Sequence, residues 1–167
     1  VFVLGIDPGL SRCGYAVLER TSRGKAKAVA IGVLKTPKDM PTANRLALLH
    51  KEYLELLEDF KPAEVAIERI FFYKNLNTVL GVTQASGIVQ AASVTFGATV
   101  AEYSPSEAKS VITGYGSADK EQVQFMVKNL LNLVDSPKPA DAADAAAIAL
   151  CHIAYNPKPS KHLEKIN

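Results

Sequence analysis

Apolar and polar positions divide the 167-residue chain into short apolar runs and longer segments of helical period. Val1 to Ile6, five apolar residues and one Gly, reads as a buried strand that ends on Asp7, directly before the Pro8-Gly9 turn. Residues 13–19 read as a second strand, joined closely enough to be antiparallel to the first. A third strand, 26–34, follows the polar turn at 21–24. Pro37 and Pro41 break the pattern. From Thr42 to Phe60, Leu46, Leu49, Tyr53, Leu56, Leu57 and Phe60 recur at helical spacing with charges between them, and Lys61-Pro62 ends that helix. Residues 64–68 form a short strand. The helix before it makes a crossover, which returns the strand parallel to an earlier one. A second helix, rich in small residues, is expected over 75–92 and a fifth strand over 99–103. Ser104-Pro105-Ser106 is a helix-start signal. Helices are expected at 106–112, about 119–133 and about 140–155.

Three strands in a meander followed by crossovers predict a mixed sheet covered by helices. No internal repeat or second domain is visible, so one domain is expected over 1–155. Asn156 to Asn167, with two Pro and three Lys, reads as a mobile basic tail. If strand 64–68 lies parallel to the first strand, Asp7 and Glu68 emerge at one edge of the sheet. Ligands of such sheets bind at the carboxyl ends of strands.

Composition narrows the class. With 48% hydrophobic and 22% charged residues the chain is ordinary for a globular protein. No run approaches the ~18 apolar residues of a membrane span, and no basic segment suggests a secretory signal, so a cytoplasmic location without membrane association is expected. Cys13 and Cys151 are expected to be reduced core residues. A net charge of +2 is little for a nucleic-acid partner. Divalent cations bound to acidic residues would shift that balance well to the positive side.

Asp141 and Asp144, three residues apart, share one face of an Ala-rich helix whose backbone can approach a sheet closely. Each acid has an ordinary explanation taken alone: turn chemistry for Asp7, an exposed strand end for Glu68, the helix dipole for Asp141 and Asp144. Together they form the all-oxygen donor set that a hard cation such as Mg²⁺ requires. Two such ions about 4 Å apart can activate a water and stabilise the leaving oxygen of a phosphodiester. The sequence holds no Cys/His cluster for zinc and no G-x-x-x-x-G-K-[ST] phosphate loop.

The runs G5-I-D-P-G-L-S-R-C-G-Y15, A66-I-E-R-I-F-F-Y-K-N75, G81-V-T-Q-A-S-G87, E102-Y-S-P-S-E-A-K109, G114-Y-G-S-A-D-K120 and D141-A-A-D-A-A-A-I-A-L-C-H152 resemble, in order, those of RuvC-type Holliday junction resolvases. The resemblance implies an RNase H-like α/β fold: a five-stranded mixed sheet, an antiparallel meander plus parallel crossovers, with helices on both faces. It implies a homodimeric crossover junction endodeoxyribonuclease that nicks two opposite strands of four-way DNA in recombination and repair, working with a branch-migration helicase. Asp7, Glu68, Asp141 and Asp144 would hold Mg²⁺ or Mn²⁺, two ions per site. Lys109 and Lys120 match basic positions facing the scissile backbone; without the resemblance they are solvated helix lysines. The segment Phe71-Phe72-Tyr73-Lys74 interleaves aromatics with a base beside the carboxylates, a pattern suited to stacking on unpaired bases, although Phe71 and Phe72 also suit a core. Arg69 departs from the Gln of some members and is a further DNA-contact candidate. Small residues between Gly81 and Ala92 suit either a core helix or the dimer interface. His152 reads as structural. An RNase H-like nuclease acting on RNA and an actin- or sugar-kinase-type nucleotide-binding module are the competing readings. The latter requires a second domain with its own phosphate loop.

Overall fold

The structure is a computed structural model that describes residues 1–21, 24–71 and 76–157. The strands are β1 (Phe2–Asp7), β2 (Arg12–Arg20), β3 (Ala26–Lys35), β4 (Glu64–Glu68) and β5 (Thr99–Tyr103). They form one mixed sheet in the order β3-β2-β1-β4-β5. β1, β2 and β3 pair antiparallel as the short connections between them require, and β4 and β5 add parallel to β1 through helical crossovers.

The helices are α1 (Thr42–Phe60), α2 (Leu76–Phe96), α3 (Pro105–Thr113), α4 (Lys120–Leu130) and α5 (Ala140–Tyr155). Alternation along β1 sends Leu4 and Ile6 to one face, where they pack with Leu49, Tyr53 and Leu57 of α1 and Ala85 and Val89 of α2. Val3 points to the other face, which α4 and α5 cover through Val123, Val127, Ala145 and Ala149. The helices therefore lie on both faces, as the RNase H-like pattern predicts.

Three expectations need adjustment. α2 continues past residue 92, because Ser93 is accommodated inside the protein: its hydroxyl donates to the Val89 carbonyl and meets the Tyr53 hydroxyl at 2.7 Å. The helix gives way at Gly97, whose φ of 100° suits a residue without Cβ. At this length α2 is long and apolar enough, by length and composition, to cross a membrane, contrary to the expectation that no segment approaches that limit. Part of its apolarity is spent on packing, with Val79, Ala85, Val89 and Ala92 buried. α4 ends earlier than expected, at Leu130. The proposed basic tail falls outside the described residues from 158 onward, while Asn156 is tied into the fold by hydrogen bonds to the Tyr103 hydroxyl and the His152 carbonyl.

α5 approaches the sheet unusually closely. A Cβ on Gly5 would overlap the Ala145 carbonyl oxygen, and one on Gly14 would overlap that of Asp141. The helix presents Ala142, Ala145, Ala146 and Ala149, all buried, so small side chains on both partners permit the contact. The fold thus fixes where the first turns of α5 lie relative to the ends of β1 and β4.

Candidate active site

Asp7 is the last residue of β1 and Glu68 the last of β4, one step beyond the Ile6–Ile67 pair of the parallel ladder. Both carboxylates therefore leave the sheet at the same edge. Asp141 and Asp144 come from the first two turns of α5, which Gly5 and Gly14 allow to press against this end of the sheet.

The electrostatics of the four acids show how crowded they are. Burial, the negative charge of Glu68 and a hydrogen bond shared with Glu68 push the Asp7 carboxyl far above the ordinary carboxylate range, and Asp144 and Asp141 add to the effect. Glu68 is raised as well, first by burial and then by Asp144, while the shared hydrogen bond and the charges of Lys109 and Lys120 pull it down. Asp144 is raised by burial and by Asp141, with Lys120 and Lys109 opposing. Carboxylates packed this way destabilise one another's charged forms. In the protein alone, a proton held between Asp7 and Glu68 relieves part of that repulsion.

Asp141 has a different partner. Its Oδ2 lies 2.9 Å from Arg12 Nε, at the start of β2. The pair is in ionic contact without hydrogen-bond alignment, since the same oxygen has no hydrogen-bond partner. Among the described residues, no three His, Cys, Asp or Glu side chains are gathered tightly enough to grip an ion as they stand. Asp7 and Glu68 are engaged with each other, and Asp141 with Arg12. The donor set nevertheless fits a hard divalent cation: carboxylate oxygens from three elements, closely packed, with their charged forms disfavoured. A cation in place of the shared proton would offset the burial and the mutual repulsion that raise these groups.

The DNA-contact candidates distribute unevenly. Phe71 is 46% exposed and, with Arg69, lines a cleft of about 350 Å³ that also contains Asp7 and Glu68. Arg69 is anchored through its backbone N–H, which donates to the Tyr103 carbonyl at 2.7 Å. Lys109 sits in α3, which begins with a capping box between Ser104 and Glu107; Lys120 opens α4, capped by Asp119 and Gln122. From these separate helices the charges of both lysines act on Glu68 and Asp144. Phe72 and Lys74 lie outside the described residues.

His152 is structural, as expected, and the network around it was not foreseen. Its Nε2 lies 2.7 Å from Glu64 Oε2 and its Nδ1 2.8 Å from the Tyr103 hydroxyl. Arg20 donates to both Glu64 oxygens, at 2.9 and 2.5 Å. Arg12 was also missed as a partner of Asp141. Its position supplied a signal, since a residue that opens β2 after a tight turn returns to the edge where β1 ends.

Comparison with known proteins agrees with this geometry. The family profile described as "Crossover junction endodeoxyribonuclease RuvC" matches residues 3–152. A protein of that name from Leifsonia xyli subsp. xyli is 51% identical over 150 residues, covering 90% of this chain and 72% of its own length. One from Cutibacterium acnes is 46% identical over 151 residues, covering 90% and 77%. The solved structure titled "T. thermophilus RuvC in complex with Holliday junction substrate" superposes with a TM-score of 0.87 at 38% identity, over 92% of this chain and 93% of that one. The yeast mitochondrial Holliday junction resolvase Ydc2, 18% identical with a TM-score of 0.67, shares the fold.

Proposed function

The chain belongs to the RuvC family of crossover junction endodeoxyribonucleases, and from that we propose that it resolves four-way DNA junctions by hydrolysing one phosphodiester in each of two opposite strands. The observation that carries the reading is the cluster formed by Asp7, Glu68 and Asp144, in which carboxylates from two parallel strand ends and one helix crowd into a single electrostatic unit.

Asp7, Glu68, Asp141 and Asp144 hold Mg²⁺ or Mn²⁺ in this reading, two ions per site. Bound there, the metal supplies Lewis-acid activation of a water and charge stabilisation at the leaving oxygen. The chain's own residues do the rest. To serve as ligands, Asp7 would release to solvent the proton it shares with Glu68, and Asp141 would part from Arg12. Lys109 and Lys120, already directed at this cluster, attract and orient the scissile phosphate as point charges. Phe71, at the mouth of the cleft, stacks on a base beside the cut, and Arg69 contacts the adjacent backbone. Phe72 and Lys74 are assigned to the same DNA surface on sequence alone.

Paired cuts call for two copies of the site, which a C₂ dimer provides. α2 supports that arrangement: Leu80, Gly87, Ala91 and Val94 are exposed at intervals of three, four and seven residues along one side. A Cβ on Gly87 would meet nothing within 4 Å, which leaves room for a second helix. A branch-migration helicase partner rests on the family alone.

The test is nicking of a synthetic four-way junction, a linear duplex and an RNA–DNA hybrid, each with Mg²⁺ and with chelator. The expected result is symmetric nicking of the junction in Mg²⁺, with the other substrates and the chelated reactions essentially uncut. Preferential cutting of the hybrid would overturn the reading in favour of an RNA-directed nuclease.

A further inference from the structure

A second cleft, of about 340 Å³, adjoins the one lined by Phe71; Thr78 and Val82 border both. Its other walls include Gly9, Ser11, Arg12, Arg45 and Asp141. Arg45 enters from the first turns of α1 and is fixed there. Its Nε donates to the Thr36 hydroxyl at 2.9 Å and its Nη2 to the Ser11 hydroxyl at 2.8 Å, while the Thr36 hydroxyl donates to the Leu10 carbonyl. Those partners are neutral. Among the described residues no carboxylate pairs with Arg45, so a half-buried guanidinium keeps its full charge on the wall of a cleft. Arg20, the buried arginine at the other end of β2, is by contrast neutralised by Glu64. Arg12 lies across the same cleft with its side chain 55% exposed, and its ion pair with Asp141 is cheaply broken.

We infer that this cleft binds a backbone phosphate of the DNA, with Arg45 as its fixed donor and Arg12 as a movable one that exchanges Asp141 for the phosphate. The inference rests on the nuclease reading and extends it to a second contact beside the carboxylates. Guanidinium groups suit the task because their planar fork matches two phosphate oxygens. Asp141 lines the cleft too and repels an anion while its charge is uncovered. When Asp141 serves a divalent cation instead, that repulsion falls and Arg12 is released. Cation and DNA then reinforce each other's binding through one arginine, and the coupling is reciprocal.

The experiment is junction binding by fluorescence anisotropy over a KCl series, in EDTA and in Ca²⁺ as a hard divalent probe, for wild type, Arg12→Gln, Arg45→Gln and Arg45→Lys. Arg12→Gln is expected to bind several-fold more weakly in Ca²⁺, with a log K versus log salt slope smaller by about one. Its affinity should also gain less from Ca²⁺ than that of wild type. Arg45→Gln loses its ties to Thr36 and Ser11 along with its charge, so Arg45→Lys is the control: affinity restored by Lys reports charge at the cleft. A wild-type slope and an undiminished Ca²⁺ gain in Arg12→Gln would overturn the inference and leave Arg12 as a counter-ion of Asp141 only. Failure of the wild-type protein to nick a junction would instead remove the nuclease reading, so the two failures are distinguishable.

Discussion

β4 carries a glutamate at each end, and the two occupy opposite electrostatic worlds. Glu64, Ala66 and Glu68 all face α5, which runs antiparallel above the strand: Glu64 meets His152, Ala66 packs with Ile148 and Cys151, and Glu68 feels Asp144. The match is geometric. Four helix residues advance about 6 Å and two strand residues about 6.6 Å, so equivalent positions stay aligned along the contact. Glu64 is fully buried and held by Arg20 and His152. Glu68 is surrounded by Asp7 and Asp144, with the charges of Lys109 and Lys120 acting against them. One end of the pair is charge-compensated and anchors α5. The other, among the described residues, is left short of positive charge, and strongly shifted carboxyls of this kind concentrate at functional sites, where a ligand supplies what is missing.

The largest expected effect comes from the uncompensated end. Asp7→Asn should lower nicking by roughly 10³-fold or more, with junction binding largely retained because phosphate contacts carry it. Its melting temperature in EDTA should be close to that of wild type, since the introduced amide is neutral, as is the protonated carboxyl it replaces, and can still donate a hydrogen bond to Glu68. Near-wild-type nicking by this variant in Mg²⁺ would sink the assignment.

Glu64→Gln should behave in the opposite way. It leaves buried Arg20 without its charge partner, a loss of about 3–5 kcal/mol of stability, readable in urea denaturation. Nicking by the folded fraction should be preserved. An equally stable Glu64→Gln variant with no activity would invert the comparison.

A sharper contrast is available at Phe71, beside Glu68 but 46% exposed. Phe71→Ala should cost ~1–3 kcal/mol of interaction with DNA and little stability, whereas a core Phe→Ala costs ~3–5 kcal/mol. Thermal unfolding and nicking measured together on the variant separate these outcomes.

The smallest effect is a pH dependence at the compensated end. Burial holds the His152 imidazole below its ordinary value of 6.5; Glu64 opposes that shift and Arg20 assists it. Neutral imidazole suits the site, donating from Nε2 to Glu64 and accepting at Nδ1 from the Tyr103 hydroxyl. A His pKa depressed on folding contributes stability that is present above 6.5 and is lost as pH falls through the folded value. Melting temperature should therefore drop more steeply below pH 6.5 for wild type than for His152→Gln. Parallel curves would show that the imidazole does not drive the acid loss.

Much of this molecule was legible in one sequence. Periodicity placed the five strands and bounded α1 and α5 correctly, and the crossover rule put Asp7 and Glu68 at one sheet edge. Helical spacing put Asp141 and Asp144 on one face, and the alanine run foretold a close approach to the sheet; the matching room at Gly5 and Gly14 emerged only with the fold. These features depend on residues near one another in the chain, and on a chirality that all L-peptides share. Nothing local distinguishes the two ends of Glu64-Val-Ala-Ile-Glu68, each an acid beside an apolar core. Only tertiary packing decided that Glu64 would find Arg20, 44 residues away, and His152, 88 residues away. The same packing turned Arg12 to Asp141 and, among the described residues, gave Arg45 hydroxyl partners and no carboxylate. The physical reason is that a charge's fate depends on which side chains fill the space around it, and periodicity fixes the direction a side chain takes but not what it meets there.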